Sequence, residues 1–297
     1  RVISQENSKD IYDLATASPY YIGAVHENEP ENGEKLVQIL LDKGDRNIGL
    51  IGWEQGDATW LGRWEGYKAG VEKWNAEHPD DQAKLSEPQY AGTSSEGGSK
   101  AAEALMSADP TLDALIPAGG GGDLQGAIAA VERAGKTQDI DIVSTDFLPD
   151  LGERLENGSM AGESGGHYCD PLIAFMMVYN AIKGNYTGIE GSFEDVPFPY
   201  LYVSSPDDYK AYEQYFVDQL PYTDEELVAM SKLSLDDLKA TAAGISIEDA
   251  VTDLFFRLFA KSASAAVVLI FFDGDRDILA DQVTAADCLA GIGVSGT

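Results

Sequence analysis

Polar and aromatic side chains follow three of the apolar runs that we predict to be strands. They are Trp53, Trp60, Arg63 and Trp64 after Asn47–Gly52, Asp146 after Ile140–Thr145, and Glu163, His167 and Tyr168 after Met160–Gly162. Open parallel sheets bind ligands at the carboxyl ends of their strands. Aromatic rings cover C–H groups, while Asp, Arg and His supply the directed hydrogen bonds that each buried hydroxyl requires. The set indicates a site for a neutral, polyhydroxylated molecule.

The sequence contains few of the residues that known catalytic motifs require. The three histidines are His26, His78 and His167, none lies near a nucleophile-elbow sequence, and no HExxH zinc motif is present. The glycine run Ala118–Asp123 fits neither the dinucleotide-binding nor the P-loop pattern. We interpret it as a strand-to-helix crossover where a ligand or another backbone approaches closely. The sequence therefore predicts no catalytic site, no metal and no cofactor.

Short apolar runs alternate with helical patterns along most of the chain. In order, we predict strand Tyr20–His26, helix Asn32–Lys43, strand Asn47–Gly52, helix 62–76, strand Pro88–Ala91, helix Glu96–Ser107, strand Ala114–Pro117, helix Asp123–Ala134, strand Ile140–Thr145, helix Leu148–Asn157 and helix Asp170–Lys183. This alternation predicts an α/β fold, with parallel sheets flanked by helices on both faces. We expect Phe175, Met176, Met177 and Tyr179 of the last helix to be core residues.

The pattern changes after Tyr200. Acidic amphipathic helices are predicted at Ser205–Phe216 and Thr223–Leu233. Capping signals predict two more helices, Ser234–Ala243 and Ser246–Ala260, and together the four form a helical extension. The tail then returns to an α/β pattern, with strand Ala265–Phe272, helix Asp277–Leu289 and strand Ile292–Ser295.

Composition limits the possible partners. The 297 residues are enough for two domains. The 51 Asp and Glu against 20 Lys and Arg give a net charge of −31, which argues against nucleic acid and anionic membranes as partners. Cys169 and Cys288 are too few for a disulfide framework or a cysteine zinc site. The apolar run Ala263–Phe272 is too short to span a bilayer.

Four motifs in a fixed order resemble one known family. They are Arg63–Gly70 (RWEGYKAG), Asp139–Asp146 (DIDIVSTD), Leu155–Gly162 (LENGSMAG), and Asp170-Pro171 at the start of a helix. This series resembles the type I periplasmic sugar-binding proteins, of the ribose- and galactose-binding kind, which are the solute receptors of ABC importers. The effector domains of lac-repressor-type regulators have a similar fold. The resemblance extends from about Val2 to about Ala250.

The resemblance implies a non-catalytic receptor that closes two α/β lobes on a sugar or sugar-like solute. We expect residues 1–27, 168–195 and 250–297 to form the first lobe, 28–167 and 196–204 the second, and 205–249 a helical strap. It also implies an ABC permease as partner, a monomer, and an extracytoplasmic location, in the periplasm or as a cell-surface lipoprotein.

Two site residues match family positions directly. By that match, Arg63 grips ligand hydroxyls and Asp146 contacts the ligand beyond a strand of the second lobe. The alternative for Arg63 is a surface ion pair with Glu65 or Asp57. For Asp146 the alternative is a helix N-cap, and both roles could hold together.

The other expected ligand contacts are less direct. They are His167 from a hinge segment, Glu6 and Asn7 after the Val2–Gln5 strand, Trp53 lining the cleft, and Asp123. His167 is equally consistent with a structural hinge histidine. Gly119–Gly122 stand where many relatives present Asn or Asp, so either Asp123 replaces that contact or the site takes a bulkier ligand. Trp60 and Trp64 are interpreted as packing residues.

Alternatives remain at the level of function and of the tail. Residues 250–297 either complete the first lobe, as in a permuted chain, or form an appendage. The fold also suits a receptor for a nucleoside or other signalling ligand, or the effector domain of a regulator. A glycoside hydrolase with Glu6 and Asp146 as its carboxylates is a further alternative.

Overall fold

The computed structural model describes residues 2–4, 17–18, 20–166, 170–186, 194–218 and 222–248. The strands are β1 Val2–Ser4, β2 Tyr21–Glu27, β3 Asn47–Gly52, β4 Lys84–Leu85, β5 Gln89–Tyr90, β6 Ala114–Pro117, β7 Asp141–Thr145, β8 Gly162–Gly165, β9 Glu194–Phe198 and β10 Leu201–Val203. The α-helices are α1 Glu29–Lys43, α2 Ala58–Glu77, α3 Ser95–Ala108, α4 Gly122–Arg133, α5 Leu151–Asn157, α6 Asp170–Lys183, α7 Pro206–Tyr212, α8 Asp224–Met230 and α9 Leu235–Ala243, and a π-helix, Glu213–Val217, follows α7.

The larger sheet has seven strands in the order β10-β8-β7-β6-β3-β4, with β5 also paired to β3. The β3, β6, β7 and β8 strands run parallel, and β10 is antiparallel to β8. Its side chains alternate between two cores, because successive residues of a strand point to opposite faces. Ile116 packs with α1 and α2 on one face, and Leu115 packs with α3 and α4 on the other. The predicted α/β fold with helices on both faces is therefore confirmed.

A second sheet has the order β1-β2-β9, and both of its pairings are parallel. Helix α6 packs on β1 and β2, and α9 packs on β9 and α6. Ile22, Met177 and Phe198 are buried in the core of this part. The chain passes from this sheet to the seven-stranded sheet after β2, and again between Phe198 and Leu201.

Local capping explains where several elements begin and end. The predicted helix at 62–76 starts earlier, at Ala58, because the side chain of Asp57 accepts a hydrogen bond from the Trp60 amide and so caps it. Helix α1 ends at Gly44, whose φ of 108° suits glycine. The predicted strand Pro88–Ala91 is shorter, with only Gln89 and Tyr90 paired.

Helix α6 has the predicted bounds, but one prediction about its side chains is wrong. Phe175 is 59% exposed, where it stacks on Tyr179, while Met176 and Met177 are buried. An apolar helix on the surface of a small sheet keeps one face outward, and hydropathy alone does not identify that face.

Among the described residues, no helix combines the length and apolar composition needed to cross a bilayer. The predicted tail at 250–297, including Cys288, lies outside the described residues, as does Cys169.

Candidate functional site

Three neighbouring strands of the larger sheet end at one edge. Strands β3, β6 and β7 are adjacent and parallel, and they are followed by Trp53, Ala118 and Asp146 respectively. The carboxyl ends of such strands form the usual ligand edge of an open α/β sheet. The residues that the sequence places after these strands therefore share one region.

Arg63, in the second turn of α2, is the centre of a buried hydrogen-bond network beside this edge. Its Nε donates to Glu29 Oε2 at 2.7 Å, and its Nη2 donates to the Tyr200 hydroxyl at 3.1 Å. Its Nη1 donates to the carbonyl oxygen of Ala118. The Tyr200 hydroxyl in turn donates to Glu29 Oε1 at 3.0 Å. Arg63 is only 3% exposed, so the alternative of a surface ion pair with Glu65 or Asp57 is wrong.

Two glycines bring Glu29 and Arg63 together. Helices α1 and α2 cross where Gly33 meets Gly66, and a Cβ added at Gly66 would lie 2.0 Å from the carbonyl oxygen of Pro30. The two backbones are therefore in direct contact, which glycine alone permits. This approach places the first residue of α1 against the second turn of α2.

The network largely neutralises the only cation among the predicted site residues. Burial opposes the charge on Arg63, but the carboxylate of Glu29 more than offsets this, so the pKa of Arg63 is raised. Burial also raises the pKa of Tyr200, which stays a neutral hydroxyl. The guanidinium lies 5.3 Å from the Trp53 ring centroid, within cation–π range.

The glycine run after β6 makes room for Trp53. A Cβ added at Gly119 would lie 2.5 Å from the Trp53 ring and 3.3 Å from a carboxylate oxygen of Asp146. Trp53 Nε1 donates to Asp123 Oδ2 at 3.1 Å, while the buried Asp123 Oδ1 has no hydrogen-bond partner. Burial raises the pKa of Asp123, although its hydrogen bonds oppose this. The run is the predicted strand-to-helix crossover, and Gly122 confirms the close backbone approach, because an added Cβ would lie 2.7 Å from the Ser95 amide; approach of a ligand stays a prediction.

Asp146 occupies an unusual backbone conformation. Its φ is 77°, in the left-handed region that costs a non-glycine residue about 1 kcal/mol or more. Its amide donates to the carbonyl oxygen of Ser164 at 2.7 Å. A Cβ added at Gly120 would lie 2.0 Å from its carbonyl oxygen, so the glycine run also holds Asp146 from the other side. The following helix begins at Leu151, so the alternative that Asp146 caps it is wrong.

A polar network lies just before Asp146. Asn32 of α1 and Ser164 of β8 each donate to the Thr145 hydroxyl at 3.0 Å. All three residues are buried, and Asn32 Oδ1 has no hydrogen-bond partner. The network ties α1, β7 and β8 together directly behind the ligand edge.

Four of the seven predicted ligand residues therefore lie together: Trp53, Arg63, Asp123 and Asp146. Their ligand roles stay predictions. Glu6, Asn7 and His167 lie outside the described residues. Trp60 is fully buried in the core and packs with Trp64, which confirms their interpretation as packing residues.

The sequence did not identify Glu29 and Tyr200. Glu29 is the first residue of a helix and precedes Pro30, a residue favoured at helix starts. This pattern could have indicated an acidic residue in the first turn, but it could not have indicated that Arg63 is its partner. Tyr200 marks the change of sequence pattern and lies in the crossover between the two sheets. Within the described ranges, no group of three or more His, Cys, Asp or Glu side chains is suited to hold a metal.

The fold and this edge together define a class: α/β proteins with two sheets and a cluster of aromatic and carboxylate side chains at the carboxyl ends of parallel strands. A family model described as "Periplasmic binding protein domain" matches residues 10–184. The match takes in more than half of the sequence, so the chain belongs to the periplasmic binding protein family, whose members are normally not enzymes. Its sheets and helices match those of type I periplasmic binding proteins.

Solved structures of solute-binding proteins of ABC transporters share this fold. One from Agrobacterium vitis, with bound D-fucose, has 16% identity and a TM-score of 0.54, covering 68% of this chain and 64% of that one. One from Bacillus halodurans, with myo-inositol, has 21% identity and a TM-score of 0.56, covering 71% and 68%. One from Actinobacillus succinogenes, with D-allose, has 18% identity and a TM-score of 0.57, covering 71% and 69%.

The chain thus spans about two thirds of the length of these structures. Because the sequence identities are 16–21%, the similarity shows a shared fold only. No functionally curated protein has a significantly similar sequence.

Proposed function

We propose that this protein is the extracytoplasmic receptor of an ABC importer and that it binds a neutral sugar or polyol. The observation that carries the proposal is the convergence of Trp53, Asp123 and Asp146 at one sheet edge beside Arg63. An aromatic ring together with carboxylate acceptors suits a ligand with C–H faces and hydroxyl donors.

The charges at the site support a neutral ligand rather than a sugar phosphate. Arg63 is engaged by Glu29, Tyr200 and Ala118, so little of its charge is available to an anion. Asp123 and Asp146 lie near it, and the whole chain carries a net charge of −31. A phosphorylated ligand would be repelled by these two carboxylates and by the net negative charge of the chain.

The presence of two sheets supports a division into two lobes, but the predicted boundary at residue 195 is wrong, because β9 continues the first sheet to Phe198 and the chain crosses only after it. In the proposed mechanism, the ligand touches both lobes and biases an equilibrium between open and closed states, which the permease detects. Tyr200 lies in one of the crossovers between the sheets and is hydrogen-bonded to Arg63, so the hinge contacts the site directly. Relatives described as ABC transporter proteins, with bound D-fucose, myo-inositol and D-allose, support the transport role and the ligand class. A monomeric state and lipid tethering are further parts of the proposal.

A thermal-shift panel followed by calorimetry tests the function. The panel contains pentoses, hexoses, polyols, nucleosides, sugar phosphates and a chromogenic glycoside. A ligand at 100 times its Kd stabilises the protein by about 2.7 kcal/mol, which raises Tm by about 5–10 °C in a chain of this size. We expect this response from one or more neutral sugars or polyols and none from the phosphates.

Two variants locate the binding. Asp146→Asn removes charge-assisted hydrogen bonds worth about 1.5–3 kcal/mol and should weaken binding by about 10- to 100-fold. Asp218→Asn changes an exposed aspartate and is the matched control. A response to nucleosides alone, turnover of the glycoside, or silence across the panel would refute the proposal. Equal affinity in both variants would refute the site.

A further inference from the structure

Glu163, which the sequence pattern placed after a strand, lies instead within β8, beneath the loop that carries Asp146. Glu163, in β8, has no exposed surface. Its Oε2 accepts a hydrogen bond from the Leu148 amide at 2.8 Å, and its Oε1 is buried with no hydrogen-bond partner. A buried carboxyl group with one unsatisfied oxygen is costly and calls for an explanation.

The loop between β7 and α5 is attached to β8 at consecutive positions. The Asp146 amide donates to the carbonyl oxygen of Ser164, and the Leu148 amide donates to Glu163. Between them, the Phe147 ring lies directly on Gly165, where an added Cβ would be 2.8 Å from the ring. Glu163 is thus the one side chain of β8 that fixes the loop through a hydrogen bond to its backbone.

The groups around Glu163 favour its neutral form. Burial raises the pKa of Glu163 to about 8, although the Leu148 amide opposes this. Asp146 and Asp150 raise the pKa further, and Arg154 lowers it.

The remaining elements packed around Glu163 add little charge. Its partners in the sheet are Ser144 on β7 and Val203 on β10, and neither is ionisable. Tyr209 of α7 interacts electrostatically with Asp150, and burial raises its own pKa, so it stays neutral.

The direction of the pH effect follows from the preference of the buried Glu163 side chain for its neutral, protonated form. Below about pH 8 the side chain keeps its proton, and the loop rests on an uncharged acid. Above that pH the proton is lost, which leaves a charge beside Asp146 and Asp150 with no donor for Oε1. The Leu148 amide favours the charged form, but the cost of burying the charge outweighs it, so the charged group is stabilised when the loop shifts or water enters.

We propose that Glu163 is a proton-dependent positioning residue: its protonated side chain holds the loop that presents Asp146, and loss of the proton loosens this loop and weakens ligand binding. The binding part of this inference rests on the proposed function. The loop part does not.

The loop part is tested without ligand, by following the Leu148 amide signal in a selectively 15N-leucine-labelled protein between pH 6 and 10. We expect a midpoint near pH 8 in the wild type, and above it an amide exchange that rises more steeply than the base-catalysed increase that Glu163→Gln also shows. Glu163→Gln keeps an acceptor for the amide but has no ionisable proton, so its midpoint should be absent. Glu156 is an exposed acid of α5, the helix that follows the loop, and Glu156→Gln should behave as the wild type. A flat wild-type signal, or the same midpoint in Glu163→Gln, would overturn the proposal.

The binding part is tested by calorimetry with any sugar or polyol found in the panel, at pH 7 and pH 9.5. The wild type and Glu156→Gln should bind about 3- to 10-fold more weakly at the higher pH, and Glu163→Gln should change less than about twofold. Equal pH dependence in the wild type and Glu163→Gln would overturn the inference. If no solute binds at either pH, the proposed function fails, while the Leu148 titration still decides the role of Glu163 in the loop.

Discussion

The Tyr200 hydroxyl offers the sharpest test of the network around Arg63. Replacement by phenylalanine keeps the ring, which is buried, and removes only the hydroxyl. That hydroxyl accepts from Arg63 Nη2 at 3.1 Å and donates to Glu29 Oε1 at 3.0 Å. The variant therefore loses both hydrogen bonds to charged groups without creating a large cavity.

The expected cost follows from these two contacts. Hydrogen bonds to charged groups contribute about 1.5–3 kcal/mol, and the two share one hydroxyl, so we expect Tyr200→Phe to destabilise by about 2–3 kcal/mol. In a unit of about 250 residues this lowers Tm by roughly 4–12 °C. Differential scanning calorimetry at neutral pH measures the change.

A matched control and a double-mutant cycle make the test specific. Tyr90 is 41% exposed, so Tyr90→Phe should stay within about 0.5 kcal/mol of the wild type. Tyr200→Phe and Glu29→Gln should be non-additive by at least about 1 kcal/mol, because both act on one network. Equal Tm values for the two phenylalanine variants, or strict additivity in the cycle, would refute the bridging role of the hydroxyl.

Two further predictions concern packing and buried charge. Gly66→Ala places a Cβ 2.0 Å from a carbonyl oxygen of α1, so it should lower the free energy of unfolding by about 2 kcal/mol, measured by urea unfolding. Gly70→Ala, on the same helix, should leave this free energy nearly unchanged. Equal effects of the two substitutions would contradict the contact between the helices. Burial, and then the carboxylate of Asp141, raise the pKa of Asp45 from 3.8 to about 7, so the native state prefers the neutral acid and loses stability as pH rises between these values. Asp45→Asn should therefore be about 1–2 kcal/mol more stable than the wild type at pH 8, which is less than a fully buried group would give because 9% of the residue is exposed to solvent, and its advantage should vanish toward pH 4. The exposed Asp139→Asn is the control for this comparison, and an advantage independent of pH would contradict the assignment.

Much of the fold could be predicted from the sequence because its signals are local. Strands Asn47–Gly52 and Ala114–Pro117 and helix Asp170–Lys183 have the predicted bounds. Apolar period, glycine and caps act within a few residues, so they determine the type and the ends of such elements. The predicted helix Ser205–Phe216 is harder, because its π-helical second half is set by packing of aromatic residues.

The site could be predicted only in part. Trp53 and Asp146 were identified because each directly follows a strand of a parallel sheet, and topology brings such positions to one edge. Asp123 was identified only through the family resemblance, which places a polar contact in the crossover after β6. The partners of Arg63 were not identified, because Glu29 and Tyr200 are separated from it by 34 and 137 residues. Which acid meets the arginine depends on how closely two helices approach, and that depends on Gly33 and Gly66 together.

Because the Glu29–Arg63 ion pair is buried, its geometry should depend little on ionic strength. Surface charges are screened over about 8–10 Å at ordinary salt concentrations, whereas buried pairs are screened much less. The net charge of −31 should therefore make the colloidal behaviour of this protein vary strongly with salt, while the geometry around Arg63 stays constant. For the neutral sugar or polyol proposed above, selectivity would then depend on the stereochemistry of the hydroxyl groups rather than on long-range attraction, and it would be retained at high as well as at low salt concentration.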